Sequence, residues 1–116
     1  MTGNPLPDAD RAVVPDNKLV EYLLSGAHPD GHGKARFFAS FGFSVAGWRV
    51  LAEALSRHAA ENSVVEQSAT AFGTRYIVEG ILWAPDGRTP EVPVVWFIDR
   101  GGGAPRLVTA YRVRRR

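Results

Sequence analysis

The chain has 116 residues, of which 45% are hydrophobic and 22% are charged, and its formal net charge is +2. This length suits a single domain, and this composition is typical of a soluble globular protein rather than a disordered or membrane-embedded one. Cysteine is absent, which excludes disulfide bonds, thiolate metal sites and cysteine nucleophiles.

The first ten residues predict a disordered arm. They contain two prolines, two aspartates and no run of apolar residues, a composition that favours neither a helix nor a strand. They also lack the basic and apolar regions of a secretory signal, and no segment of the chain reaches the ~18–20 apolar residues of a membrane span. We therefore expect a cytoplasmic protein without membrane contact, folded as one domain over residues 11–116.

Three helices are predicted in the first half of the chain. The first spans about residues 17–24, where apolar residues recur with helical spacing behind a polar cap. The second spans about residues 34–40 and is closed by Gly42. The third runs from a cap at Ser44 to about residue 60 and carries an apolar stripe along one side.

The second half of the chain predicts four strands, because β-branched and aromatic residues dominate there between turn signals. The strands lie at about 63–71, 74–84, 91–99 and 106–113. Their connections are short and rich in glycine or proline, so neighbouring strands must pair antiparallel. The predicted fold class is α+β, with three N-terminal helices packed on one face of a four-stranded antiparallel meander.

Side-chain alternation assigns the residues of this sheet to two faces. In the second predicted strand, Tyr76, Val78 and Leu82 should pack on the helices, and in the fourth, Val108 and Ala110 should do so. In the fourth strand the alternating set that faces away from the helices is Leu107, Thr109 and Tyr111. Alternation thereby gathers Arg75, Glu79, Thr109 and Tyr111 on one exposed surface.

Three stretches of the sequence carry a resemblance to a known family. They read DNKLVEYLLSGAHPDGHGKARFFASFGF, GTRYIVEGILWAPDGRTPEVPVVWFI and PRLVTAYRV. In this order they resemble a family of small bacterial domains of unknown function, whose members occur alone and as C-terminal modules of polymorphic toxins. The resemblance implies a layout similar to the barnase, EndoU, colicin and RelE group of toxin ribonucleases. It thereby also implies RNA as the substrate and an antitoxin or immunity protein as a partner.

Metal-independent RNA cleavage needs a base for the 2′-hydroxyl proton, an acid for the leaving oxygen and a cation for the phosphate. The loop before the second predicted helix supplies candidates for all three. His28 and His32 titrate near neutral pH, and Lys34 and Arg36 lie at a helix start, which attracts anions. Glu79 is an alternative base.

The candidates for binding RNA phosphate are Arg75, Thr109, Tyr111 and Arg112. Arg112 opens a C-terminal tail in which four of the last five residues are arginine. Such a tail can meet phosphate groups regardless of nucleotide sequence. It is equally typical of a solubilising terminus.

Each candidate also has a structural interpretation. His28 precedes a proline, which is typical of a turn. Lys34 and Arg36 point about 200° apart on a helix, so they share one phosphate only if Lys34 lies in the loop. Glu79 can pair with Arg75 or with a charge on a neighbouring strand instead of taking a proton.

No metal and no cofactor are expected. The sequence has no HExxH motif, cysteine pair or carboxylate cluster to complete a metal site. The glycine run Gly101–Gly103 lacks the Lys-Ser/Thr pair of a phosphate-binding loop. His58, near the end of the third predicted helix, is interpreted as a structural residue that interacts with the terminal carbonyls.

Two functional hypotheses follow. The first is a metal-independent ribonuclease toxin of barnase-like type. The second is a non-catalytic interaction module, immunity-like or regulatory, that binds a protein through the exposed sheet face, where aromatic residues would dominate the contacts. Its anchors would be Trp83, Trp96, Tyr111 and Ile81.

Overall fold

The computed structural model describes residues 4–15 and 32–111. Within them, five strands form one sheet in the order β1-β2-β3-β4-β5, and every neighbouring pair is antiparallel. The strands are β1 (Asn4–Pro5), β2 (Ser63–Ala69), β3 (Gly73–Ile81), β4 (Glu91–Asp99) and β5 (Arg106–Ala110). The four long strands confirm the predicted antiparallel meander, to which the two-residue β1 adds an edge.

Two α-helices lie within the described residues, α1 (His32–Ser40) and α2 (Trp48–Glu61). They correspond to the second and third predicted helices, whereas the first, over residues 17–24, lies outside the described residues. The Ser44 hydroxyl accepts a hydrogen bond from the Gly47 N–H (3.1 Å) in the turn before α2. Gly42 follows α1 with a φ of 99°, a left-handed conformation that glycine adopts without strain. In the part of the chain described, no helix is long and apolar enough to cross a membrane.

The N-terminal segment departs from the predicted disordered arm over residues 4–10. Pro5 lies opposite Ser63 at the β2 edge, and Leu6 is buried in the core with 2% of its surface exposed. Farther along, the Val13 N–H donates to the Pro105 carbonyl (2.8 Å) beside β5. The segment therefore contacts both edges of the sheet. Prolines on either side of Leu6 restrict the unfolded chain and lower the entropy cost of this ordering.

The core lies between the helices and one face of the sheet. Val78, Leu82 and Trp96 are fully buried there, with Tyr76 packed against them. This confirms the predicted inward faces of Tyr76, Val78 and Leu82. It also corrects the placement of Trp96 among exposed anchors, because β4 is apolar on both faces and alternation could not tell its two sides apart.

A β-bulge between β4 and β5 changes the face of Leu107. The register shifts so that Val95 lies opposite Thr109 while Trp96 lies opposite Leu107, with Val108 as the extra residue. Leu107 is consequently buried in the core, 2% exposed. The prediction that Leu107 shares the exposed face is wrong, because one inserted residue reverses the alternation that follows it.

The turn between β3 and β4 holds the C-terminal end of α1. Arg88 donates to the Ser40 carbonyl, pairs with the Asp86 carboxylate (2.6 Å) and lies 4.3 Å from the centroid of the Phe41 ring. The Asp86 N–H donates to the Phe41 carbonyl (3.3 Å). These contacts fix α1 at the end of the sheet where β3 leads into β4.

His58 fastens α2 to the sheet. The imidazole is fully buried, and its Nε2 donates to the carbonyl oxygens of Val92 (2.7 Å) and Gly80 (3.2 Å). Its Nδ1 has no hydrogen-bond partner within residues 4–15 and 32–111, so the ring carries its proton on Nε2 and is neutral. Burial lowers the pKa of His58, an effect that the two carbonyls only partly oppose. The residue is structural, as predicted, although it binds sheet carbonyls rather than the helix end.

The lowered pKa of His58 should make the protein less stable in mild acid. Above the unfolded value of 6.5 the ring is neutral in both states. Below it, the unfolded chain takes up a proton that the folded chain resists, so the free energy of unfolding falls with pH by at most ~1.4 kcal/mol per unit. Urea unfolding between about pH 7.5 and 5.5 measures this slope. His58→Gln keeps an N–H donor but does not titrate, so it should flatten the slope; an unchanged slope would contradict the assignment.

Candidate functional site

The face of the sheet opposite the core, called here the outer face, carries the predicted strand residues of the site. Strand register sets side chains of this face in rows that cross the sheet, and the three rows between the Ile81–Glu91 and Gly73–Asp99 pairs extend from β2 to β5 or the residue after it. The Glu79 row is Ser63, Glu79, Pro93 and Tyr111; the Val95 row is Glu66, Ile77, Val95 and Thr109; the Arg75 row is Ser68, Arg75, Phe97 and Arg106. Neighbours within a row have Cβ atoms ~4.5–5.5 Å apart, and successive rows on one strand lie about 6–7 Å apart.

The Glu79 row combines a carboxylate with a phenol. Glu79 is exposed on β3. Tyr111 is 38% exposed, and its N–H donates to the Pro93 carbonyl (2.9 Å), which aligns it with this row. Two strand spacings, about 10 Å, separate the backbones of Glu79 and Tyr111. A group lying over Pro93 would therefore be within reach of both side chains.

Glu79 and Arg75 do not pair with each other. Both lie on the outer face of β3, but four residues of strand separate them by about 13 Å. Among the described residues, the ion pairs are Arg57–Glu61, Asp86–Arg88 and Asp99–Arg106. The structural interpretation of Glu79 as the partner of Arg75 is therefore wrong, and its carboxylate faces solvent.

The Val95 row is packed rather than open. Val95 is fully buried and Thr109 is only 8% exposed. The register puts Thr109 on the outer face as predicted, but its predicted exposure is wrong. Thr109 and Val95 therefore form a packed row that separates the two polar rows.

The Arg75 row centres on an aromatic ring. Phe97 lies directly opposite Arg75 on one side and Arg106 on the other. The Arg106 guanidinium lies 5.5 Å from the Phe97 ring centroid and pairs with Asp99 (3.0 Å). A side chain at Gly73 would collide with the Phe97 ring, so the glycine allows the ring to lie against the β3 backbone.

The candidates before the sheet are described only in part. His28 and Arg112 lie outside the described residues. The helix α1 begins at His32, and Lys34 is its third residue. Lys34 therefore does not lie in the loop, which was the condition for Lys34 and Arg36 to share one phosphate. Arg36 is exposed on α1.

Sequence reasoning missed Phe97 and Arg106 as members of the outer face site. Alternation along β4 is consistent with Phe97 on the outer face, and Arg106 is the first residue of β5. The missing information was the register that aligns both with Arg75. Within the described ranges, no group of three or more His, Cys, Asp or Glu residues could hold a metal ion.

The comparisons with known proteins bear on fold and family. Among curated proteins, none matches the chain. The fold is similar to a chain solved in a "Contact-dependent growth inhibition toxin - immunity protein complex from Klebsiella pneumoniae 342", with a TM-score of 0.68 and 22% identity over 84% of this chain and 96% of that one. At this identity the likeness concerns the fold alone. A family model described as a domain of unknown function (DUF6883) matches residues 5–114, nearly the whole chain, and the chain therefore belongs to this family of domains of unknown function.

Proposed function

We propose that the chain is a metal-independent ribonuclease toxin that cleaves RNA on the outer face of its sheet. The observation that carries this proposal is the exposed Glu79 carboxylate in one row with Tyr111, on the same face as Arg75 and Arg106. These residues supply a base for the 2′-hydroxyl proton and cations for the phosphate, and Tyr111 adds a hydroxyl donor.

In this reaction the Glu79 carboxylate accepts the proton of the 2′-hydroxyl, and the 2′-oxygen forms a bond to phosphorus. The bond from phosphorus to the 5′-oxygen breaks, and the departing oxygen takes a proton from a general acid, for which His28 and His32 remain the candidates. Tyr111 donates a hydrogen bond to the phosphate as its charge builds. The products are a 2′,3′-cyclic phosphate and a free 5′-hydroxyl.

The similar fold solved within a toxin–immunity protein complex supports a toxin-related context. That complex contains both members of the pair, so the likeness fits a toxin and an immunity-like protein equally. The protein partner of this chain would accordingly be an immunity protein or, in the second case, a toxin. The exposed carboxylate and the arginines of the outer face support the toxin.

Induced expression of the chain in a bacterial host should arrest growth, and the purified chain should cleave single-stranded RNA in the presence of a metal chelator. The double variant His32→Ala with Lys34→Ala should relieve the arrest, because it removes a candidate acid and a candidate phosphate contact. Arg49→Gln, an exposed charge on α2, is the control and should stay toxic. A wild-type chain that is harmless and leaves RNA intact would contradict the proposal.

A non-catalytic interaction module is the second candidate, and Trp83 is the observation that favours it. Its side chain is 41% exposed, its indole N–H donates to Glu61 (3.0 Å), and the Arg57 guanidinium lies 4.3 Å from the ring centroid. A rigid, exposed tryptophan is typical of an interface anchor. Capture of one purified protein partner that Trp83→Ala abolishes and Glu79→Gln leaves unchanged, together with intact RNA, would favour this candidate.

A further inference from the structure

The end of the sheet where β2 turns into β3 and β4 into β5 displays aromatic and basic side chains outside the core. Two of them, Arg75 and Arg106, are the cations of the proposed function, whereas the others have no part in it. The group is called here the sheet tip and consists of Phe72, Arg75, Phe97, Arg100 and Arg106. We propose that the sheet tip binds single-stranded RNA, with a base stacked on Phe72 and phosphates held by the arginines. This inference rests on the proposed function for the choice of RNA and names where the substrate is held.

Phe72 is 81% exposed, more than the other exposed large hydrophobic side chains of the described residues. The turn that carries it is tightly bonded. The Thr70 hydroxyl accepts hydrogen bonds from the N–H groups of Phe72 and Gly73 (both 3.1 Å), and the Phe72 carbonyl accepts one from the Arg100 N–H (2.8 Å). The ring is therefore presented to solvent by an ordered turn, which lowers the entropy cost of stacking a base on it.

Positive charge outweighs negative charge at the sheet tip. Arg75, Arg100 and Arg106 face a single carboxylate, Asp99, which is already paired with Arg106 (3.0 Å). The other acidic residues of the outer face, Glu66, Glu79 and Glu91, lie in its middle and at its far end. An RNA backbone is therefore attracted to the tip rather than to the rest of the face.

The loop beside the tip leaves room for a phosphate chain. Gly101, Gly102 and Gly103 all have positive φ, and a Cβ added to any of them would meet nothing within 4 Å. Backbone without side chains allows a ligand to approach closely. From the tip, the outer face of β3 leads over about 13 Å from Arg75 to Glu79, so a strand held at the tip can extend to the proposed base.

Single-stranded nucleic acid is recognised by the combination that the tip offers, aromatic rings for bases and cations for phosphates. A folded protein partner would instead bury the exposed aromatic ring as an anchor in a pocket of its own. An RNA oligonucleotide would then bind no more tightly to the wild type than to a tip variant, so direct binding of RNA separates the two occupants.

The test measures binding of a fluorescent 2′-O-methyl RNA oligonucleotide by anisotropy at several salt concentrations. This probe has no free 2′-hydroxyl and cannot be cleaved by the proposed reaction, so the readout is independent of activity. Phe72→Ala should weaken binding about tenfold with the salt slope unchanged, since a stacked base is lost. Arg100→Gln should weaken binding and reduce the slope of log K against log salt by about 0.7. Both side chains are exposed, so the variants should unfold at the wild-type urea concentration.

Two matched controls lie on α2, on the other side of the sheet. Val50→Ala removes a side chain that is 47% exposed, and Arg49→Gln removes an exposed charge; neither should change affinity or slope. The inference is overturned, even if RNA is cleaved, when Phe72→Ala binds the oligonucleotide as tightly as the wild type. It is also overturned when Arg49→Gln and Arg100→Gln lose the same affinity. If the tip variants bind RNA more weakly but the wild-type chain never cleaves RNA, the proposed function is overturned and the proposal that the sheet tip binds RNA is supported.

Discussion

Glu79→Gln should lower the rate of RNA cleavage about 10²–10⁴-fold, the range expected when a general base is lost. Glutamine has nearly the same volume as glutamate but does not accept a proton at neutral pH. Glu79 is exposed, and it forms no ion pair with another described residue. Its replacement therefore removes the base without removing a structural contact, and the free energy of unfolding should change by less than about 0.5 kcal/mol.

The matched control is Glu66→Gln, which removes the same charge from the neighbouring row of the same face. If the carboxylates act only by repelling RNA, both variants should bind RNA more tightly and cleave it equally well. If Glu79 is the base, only its variant should lose activity. The measurement is the single-turnover cleavage rate, with the 2′,3′-cyclic phosphate end scored in the product. A fully active Glu79→Gln chain would exclude Glu79 as the base.

The sheet was predictable because its signals are local. Short connections rich in glycine and proline allow only antiparallel neighbours, and the meander of β2 to β5 has that topology. In β3, polar and apolar residues alternate, so the inward faces of Tyr76 and Val78 could be assigned from sequence. In β4 both faces are apolar, and for that reason the sequence could not assign Trp96 to one face of the sheet.

The departures from prediction come from long-range contacts. Leu6 is flanked by prolines in a polar segment, and its burial in the core together with pairing at the β2 edge makes this segment part of the fold. The bulge at Val95 inserts one residue and thereby moves Leu107 into the core. The local sequence indicates neither the docking of a distant segment nor a register shift, because both depend on the residues that lie opposite in the folded chain.

The candidate site was predictable as a face but not as a set of rows. Alternation alone put Arg75 and Glu79 on the outer face, where the structure has them. The extended conformation of β3 separates the two residues by about 13 Å, which excludes the direct pair that the sequence had left open. The partners across the sheet required the register: Tyr111 aligns with Glu79, and Phe97 and Arg106 align with Arg75. The roles of His28, His32, Lys34 and Arg112 stay predictions.

Gly80→Ala should destabilise the fold by about 2–3 kcal/mol, because it forces an added carbon into an occupied space. A Cβ at Gly80 would collide with the amide group of Asn62, whose atoms are the three nearest to that position. The Asn62 Nδ2 donates to the carbonyls of His58 (2.9 Å) and Ile81 (3.3 Å). The amide cannot move aside without losing these bonds, which join the end of α2 to the end of β3.

The double variant Asn62→Ala with Gly80→Ala measures the energy of the collision between the two positions. Asn62→Ala alone should cost about 1–2 kcal/mol through its lost hydrogen bonds, but it also empties the space that the alanine at position 80 needs. In that background Gly80→Ala should cost less than about 0.5 kcal/mol, since alanine also restricts the unfolded chain. Urea unfolding of all four chains should therefore give a coupling energy of about 2 kcal/mol between the two positions. Additive costs would mean that the added carbon meets something other than Asn62, and the junction of α2 with β3 would then depend on His58 rather than on the asparagine.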